Sequence, residues 1–354
     1  MYFYVSLVLH MTYQENDQHQ YTPDIKEQQP PLHNEKIVVI GGASGTGAQL
    51  SKAIHGLGAE VIVSSTKQDK LDGLSQTLGQ ERIHTFVADL TKPEQFSEEL
   101  ERLIISEGIV PTSVVHSAAG GMESFSRAMI KDIARLRNIA DPQEYEKELQ
   151  ALRKKIAEAV LKPENAAAAM AVNFEGHVYT VNKLKELLPS GAQVKDIYWS
   201  SIWSDLGKMH PAFKGPNAPS DDTSEEIGVD VPTFYLGVAG SKGRFVRWQR
   251  EHAGELVQNG IYPAIVSGHI IQNSDVGRMI DRFIFSTLLP KEQHEEMKKY
   301  YITQQDMVDA TLAVIQSDPE TWTEYPHKVF VVGGRPVSRE LSPDDPMFKV
   351  KIPL

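Results

Sequence analysis

A chain of 354 residues, 41% hydrophobic and 23% charged, is long enough to bury a full α/β core and has the composition of a globular protein. Its formal net charge of −11 argues against nucleic acid or an anionic membrane as the main partner, although a helix terminus can still hold a small anion. With no cysteine, disulfides, thiolate nucleophiles and thiolate-bound zinc are excluded; the twelve histidines show no metal-binding spacing, so no metal is expected.

The opening MYFYVSLVLHM is apolar but shorter than a membrane span, and it lacks the basic leader of a secretory signal. The expectation is a cytoplasmic protein without a membrane segment, with Met11 as a second candidate start and residues 1–34 as a disordered arm. From Lys36 the texture changes. KIVVIGG reads as a buried strand, GASGTG as a glycine turn, AQLSKAIHGLG as a helix and AEVIVSS as a second strand. Strand–helix–strand around a short glycine turn opens a doubly wound parallel sheet. The alternation continues through RIHTFVADL, SVVHSAAG, VKDIYWSS, GIYPAIVSG and HKVFVVGG. These segments predict a single Rossmann-type α/β domain over residues 35–335, with a parallel sheet of about seven strands and a tail at 336–354.

Two segments exceed a plain connection. Within residues 122–165, Met129, Ile133 and Leu136 make one helical stripe, and Tyr145, Leu149, Leu152, Ile156 and Val160 make another. Asp141-Pro142-Gln143-Glu144 supplies an N-cap, a proline at the first helical position and a capping-box glutamate, and Pro163 ends the run. This predicts an inserted helical hairpin. Its second stripe has the spacing of a partner-binding seam, so a subunit contact is expected there in preference to a lid over the substrate. Residues 203–233, rich in proline, glycine and acid, read as a long mobile loop.

The glycine turn is the first chemical signal. Gly41, Gly45 and Gly47, with Ser44 and Thr46 between them, join a strand to a helix, so backbone N–H groups at the helix N-terminus can approach a pyrophosphate. After the second strand comes Ser64-Ser65-Thr66-Lys67, with no acid before Asp69. An acid there would bind the ribose hydroxyls of NAD; hydroxyls with Lys67 suit a 2′-phosphate, so NADP(H) is favoured over NAD(H).

Taken in order, these motifs resemble the short-chain dehydrogenase/reductase family, over about Lys36 to Gly334. IGGASGTG resembles its TGxxxGxG turn, with Ile40 in place of threonine. Asp89, followed by Leu90, resembles the adenine-contacting aspartate. Ser117-Ala118-Ala119-Gly120 stands where the family has NNAG. Asn173 with Gly176 resembles the asparagine that holds a relay water, Ser201 the catalytic serine, and Ser267-Gly268-His269-Ile270 the step bordering the nicotinamide. The resemblance implies cofactor contacts from Gly41–Gly47, Ser65, Thr66, Lys67, Asp89, Leu90, Ala118, Ala119, Gly120, Lys242, Gly268 and Ile270. It also implies a homodimer or homotetramer.

Two tyrosine–lysine pairs compete for the proton-transfer role. Tyr179–Lys183 precedes the strand bearing Ser201, whereas Tyr235–Lys242 follows it, as the family order requires. Residues seven apart on a helix fall within ~20° of one face. Tyr-x6-Lys is the spacing of enoyl-acyl-carrier-protein reductases within the family; Ser201 is a carbonyl-reductase feature, and Glu225 stands where enoyl reductases carry a second tyrosine. The expected function is therefore an NAD(P)H-dependent reductase acting on an enoyl thioester-like substrate. The alternatives are a ketone or 3-oxoacyl reductase and a non-catalytic dinucleotide sensor. Tyr235 is expected to donate the proton, with Lys242 lowering its pKa, Ser201 as a second oxyanion donor and Asn173 holding a water. Set against these roles, Ser201 reads as a strand-end cap and Asn173 as an ordinary polar helix residue. The substrate is expected to be a small hydrophobic or acyl molecule, with Met279, Phe283 and Leu288 either lining an acyl slot or, slightly preferred, packing in the core.

Overall fold

The computed structural model describes residues 31–120, 127–207, 210–213, 230–337, 341 and 345–348. Residues 1–30 of the disordered-arm reading, the alternative start, most of the 203–233 loop and Glu225 lie outside the described residues. Two bounds are corrected: Leu32 is buried and its N–H donates to the Leu57 carbonyl at 2.7 Å, and the start of the expected loop is helical through Leu206.

Seven parallel strands form the sheet: β1 (Lys36–Ile40), β2 (Glu60–Ser65), β3 (Ile83–Val87), β4 (Ser113–His116), β5 (Val194–Ser201), β6 (Ile261–Gly268) and β7 (His327–Val332). Antiparallel β8 (Arg335–Val337) completes the order β3-β2-β1-β4-β5-β6-β7-β8. This is the doubly wound Rossmann-type fold predicted from the strand pattern. The tail boundary moves, because β8 pairs with β7 from within the stretch assigned to the tail.

The strands read as unbroken apolar runs because both faces are covered. On β1, Ile37 and Val39 join one buried cluster while Val38 and Ile40 join another, the period of two that a strand imposes. The covering helices are α1 (Gly45–Gly56), α2 (Gln68–Leu78), α3 (Pro93–Glu101), then α4 (Arg127–Leu136), α5 (Pro142–Val160), α6 (Pro163–Met170), α7 (Gly176–Leu187), α8 (Ile202–Leu206), α9 (Leu236–Gln258), α10 (Asp275–Met279), α11 (Ser286–Leu288), α12 (Lys291–Lys298) and α13 (Gln304–Gln316). Among the described residues, no helix is long and apolar enough to cross a membrane, and no group of three or more metal-ligating side chains is assembled.

A third cluster lies apart from the two sheet faces, and α4 and α5 build it. Asp141 caps α5 by accepting from the Glu144 N–H at 2.8 Å, with Pro142 in the first turn. Leu149, Leu152, Ile156 and Val160 are buried against Met129, Ile133 and Leu136 of α4 and against Trp203, Phe234 and Phe285, with Tyr145 packed at the margin. This corrects the seam expectation. The stripe is covered by the chain's own side chains, so it offers no free apolar face to a second subunit. Pro163, expected only to end a helix, also starts α6.

Candidate active site

The strand order reverses between β1 and β4, so the connections that leave their C-terminal ends part there and frame a crevice. A cavity of about 660 Å³ occupies it. Gly41, Ser44, Thr46 and Gly47 line it from the β1–α1 turn, Ser65 and Thr66 from the end of β2, Asp89 and Leu90 from beyond β3, and Ala118, Ala119 and Gly120 from beyond β4. Ser201, Tyr235, Lys242, Gly268 and Ile270 line it from the other side. Gly45, Lys67 and Asn173 were expected in the site and do not line it.

The glycine turn is tight for a measurable reason. A Cβ at Gly47 would lie 2.6 Å from the Gly41 carbonyl oxygen, and one at Gly41 would lie 2.9 Å from Ala118. Either would push apart the two segments that form the crevice wall. Asp89 stands ready-folded, with one carboxylate oxygen accepting from the backbone N–H (2.9 Å) and hydroxyl (2.8 Å) of Thr91. Lys67 caps the start of α2 and is exposed, while its N–H donates to Ser65 Oγ at 3.3 Å.

Asn173 is wholly buried in a π-helical turn (Ala171–Glu175) ahead of α7. Its Oδ1 accepts from Gly120 N–H at 2.9 Å, and its Nδ2 donates to Gly120 O at 2.8 Å and Ser241 Oγ at 2.9 Å. Its carbonyl accepts from the Tyr198 hydroxyl at 2.9 Å. These bonds make Asn173 a brace for the cavity wall at Gly120.

Tyr235 closes a 3₁₀ turn (Thr233–Tyr235) and is the N-cap of α9, while Lys242 lies in that helix. The pair is therefore not the continuous α-helical run that the spacing suggests. The strand-end cap expected of Ser201 is present: its Oγ accepts from Trp203 N–H at 3.3 Å at the N-cap of α8. Burial pushes the Tyr235 pKa up, and the Ser201 hydroxyl pulls against it. Lys242 was expected to lower that phenol. Instead its ammonium donates to the Trp199 carbonyl at 2.6 Å and sits 5.5 Å from the Tyr198 ring centroid. Burial lowers Lys242 to about 8, opposed by the charge of Asp205.

Three further residues shape this half; Trp203 and Ile280 had drawn no functional reading from the sequence, and His269 only as part of the step bordering the nicotinamide. Trp203 packs edge-on to Tyr235, with ring centroids 5.3 Å apart, and lies 5.2 Å from His269. His269 is 6% exposed, its Nδ1 is enclosed without a partner, and burial alone lowers its pKa to about 3, so it is neutral. Ile280, with Val276 and Gly277, supplies an apolar wall. Met279, Phe283 and Leu288 do not line the cavity: Leu288 is core, Met279 packs on it, and Phe283 is 40% exposed. His269 was detectable as the residue following a strand-end glycine; Trp203 and Ile280 lie where no local pattern marks a site.

The second tyrosine–lysine pair is elsewhere. Tyr179 is 38% exposed on α7, and Lys183 donates to Glu186 at 3.1 Å with Glu101 at 3.7 Å.

Residues 35–140 match the family model described as short chain dehydrogenase. An uncharacterised oxidoreductase of Staphylococcus aureus (strain MRSA252) is 30% identical over 91 residues, which is 25% of this chain and 38% of that protein. One of Staphylococcus haemolyticus is 28% identical over 93 residues, 26% of this chain and 39% of that protein. The matched segment thus spans under two-fifths of the length of these curated relatives. Among solved structures, a short-chain type dehydrogenase/reductase from Mycobacterium ulcerans superposes with a TM-score of 0.58 at 15% identity, covering 86% of this chain and 90% of that one. A 3-ketoacyl-(acyl-carrier-protein) reductase from Brucella melitensis, complexed with NADH, gives 0.56 at 15% identity, covering 86% and 99%. At these identities the likeness shows the fold.

Proposed function

We propose that this chain is an NAD(P)H-dependent short-chain oxidoreductase that reduces a carbonyl group. The observation carrying this reading is that the side chains of Ser201, Tyr235 and the buried Lys242 line one and the same cavity. The short chain dehydrogenase match over residues 35–140 and the Rossmann-type sheet support the dinucleotide half of the reading.

The crevice suits a nicotinamide dinucleotide, because the glycine turn that opens α1 lines it, where backbone N–H groups at a helix N-terminus can meet phosphate. Gly41, Ser44, Thr46, Gly47, Ser65, Thr66, Asp89, Leu90 and Ala118–Gly120 would hold it. Asn173 serves this half at one remove, by fixing Gly120. When bound, such a group supplies hydride to an electrophilic carbon. NADP(H) is favoured, since hydroxyl groups and no carboxylate line the cavity at the end of β2.

The protein's own residues handle the oxygen. Tyr235 and Ser201 place two hydroxyls where negative charge develops on the substrate oxygen, and such preorganised donors act strongly where water is excluded. Tyr235 donates the proton as the carbon accepts hydride; its raised pKa keeps the phenol protonated until then. Lys242 adds a positive charge at the cavity, favouring the oxyanion. Trp203 and His269 shield the pair from bulk water.

A second reading, reduction of a conjugated enoyl thioester, is favoured by the Tyr-x6-Lys spacing. Matched 3-oxoacyl and 2-enoyl thioesters, assayed by loss of nicotinamide absorbance, separate the two. Turnover of the oxo compounds alone supports the carbonyl reading, and turnover of the enoyl compounds alone replaces it. Dinucleotide binding without turnover of either class would make the protein a sensor. Assembly into a homodimer or homotetramer is proposed through a surface other than the α5 stripe, which the chain itself covers.

A further inference from the structure

His269 follows the last residue of β6, and its backbone N–H donates to the Val331 carbonyl of β7 at 3.2 Å. Three rings hold its imidazole in place. Centroid to centroid, Trp203 lies 5.2 Å away, Tyr301 stacks at 6.1 Å with planes 25° apart, and Tyr300 lies at 6.3 Å. Both phenols are engaged elsewhere: Tyr301 donates to Asp281 at 3.0 Å, and Tyr300 to Glu296 at 3.2 Å. Among the described residues, the buried His269 side chain makes no hydrogen bond. Buried polar side chains are nearly always paired, so a ring held this firmly without a partner points to a ligand.

Its two nitrogens differ. Nδ1 is enclosed without a partner, which leaves Nε2 as the nitrogen that meets the cavity His269 lines. The neutral ring carries one proton. An enclosed N–H without an acceptor is rarer than an enclosed lone pair, which puts that proton on Nε2. His269 therefore presents one N–H donor to the cavity. That donor stands on the reacting side, because Trp203 packs both on His269 and on Tyr235, with Val276 and Ile280 adding apolar wall. Once a ligand expels water, an N–H there needs an oxygen to meet it.

We propose that His269 is a specificity-determining residue whose Nε2–H donates to a second oxygen of the substrate, an ester, thioester or amide carbonyl near the carbonyl that is reduced. The carboxamide of a nicotinamide offers an oxygen of the same kind, and the test separates the two sources. The substrate role rests on the carbonyl-reductase reading given above; the protonation of the ring does not.

Kinetics on a matched pair read the discrimination: a 3-oxoacyl thioester, and an unbranched ketone of equal chain length without the second carbonyl. His269→Phe keeps a ring and removes the donor. It should lower kcat/KM for the thioester about tenfold or more, mainly through KM, and leave the plain ketone within about twofold. His269→Gln, whose amide N–H reaches the place of Nε2, should recover most of the loss. Equal losses on both substrates overturn the proposal and leave His269 a packing residue. ¹⁵N NMR of the ring nitrogens in the unmodified chain, with His269 assigned by its loss in either variant, needs no turnover. The free chain should show the neutral form protonated on Nε2. That signal should move when the 3-oxoacyl thioester is added with NADP⁺, and stay in place with NADP⁺ alone. A proton on Nδ1, or a signal the thioester does not move, overturns the proposal. A shift completed by NADP⁺ alone also overturns it and assigns the bond to the carboxamide. If no carbonyl or enoyl substrate is turned over, the proposed function fails while the NMR still decides this inference.

Discussion

Helix α7 carries one tyrosine–lysine pair, α9 with the turn that leads into it carries the other, and the two pairs differ in nearly everything but composition. On α7 the phenol is 38% exposed, and the lysine is held by glutamates at the surface. On α9 the lysine is buried against a carbonyl and a ring, and the phenol at the helix entrance lines the cavity together with Ser201. An exposed ion pair in water is worth little. A phenol and an ammonium in a dry cavity feel each nearby charge at much lower dielectric. The comparison teaches that spacing selects candidates, whereas burial gives them reactivity.

The sharpest way to break this comparison is to remove one hydroxyl from each pair. Tyr235→Phe should lower kcat about 10²–10⁴-fold while leaving dinucleotide affinity nearly unchanged, the range expected for loss of a general acid. Tyr179→Phe should leave kcat within error. Steady-state kinetics together with dinucleotide titration check both, and the reverse pattern would assign the chemistry to α7.

Gly47→Val tests the dinucleotide half. Its Cβ would stand 2.6 Å from the Gly41 carbonyl oxygen, so the turn must open. Dinucleotide affinity should fall at least tenfold, measured by fluorescence titration, in a protein whose far-ultraviolet circular dichroism is retained.

Burial also leaves a signature in stability. His177 is held well below its usual range and His269 at about 3, so both are neutral in the folded chain while the unfolded chain binds protons below ~6.5. The folded state is therefore favoured above that pH and loses stability as pH falls below it, by up to ~1.4 kcal/mol per pH unit for each histidine. Asp205, raised to about 6, works in the opposite sense between about 4 and 6 and offsets roughly one of them. The net slope should thus be about one histidine's worth. Denaturant melts at pH 5 and 7 should show it, and His269→Phe should flatten it; a slope unchanged by that substitution would contradict the neutral His269.

The smallest effect concerns the cofactor. Lys67→Ala should narrow a preference for NADPH over NADH by only a few-fold, because Lys67 is exposed and its charge is screened. Equal catalytic efficiency with both cofactors in the unmodified chain would remove the NADP(H) reading altogether.

The sequence by itself determined the doubly wound sheet and the dinucleotide crevice. Apolar runs such as KIVVI and EVIVS can be buried only on both faces of a parallel sheet, and a glycine turn between strand and helix is a local feature with local geometry. It also determined the helices of the insertion, whose caps and stripes are written in neighbouring residues. Only the tertiary structure decided what those stripes meet. The α5 seam faces α4 and the turn that carries Phe234 in the same chain, because an apolar stripe takes whichever apolar surface lies nearest. It likewise turned Asn173 onto Gly120, Lys242 onto Trp199 and Asp205 onto two serines from different strands. Hydrogen bonds between residues 43 to 68 positions apart leave no local pattern, since each partner's place is set by how the strands and helices pack.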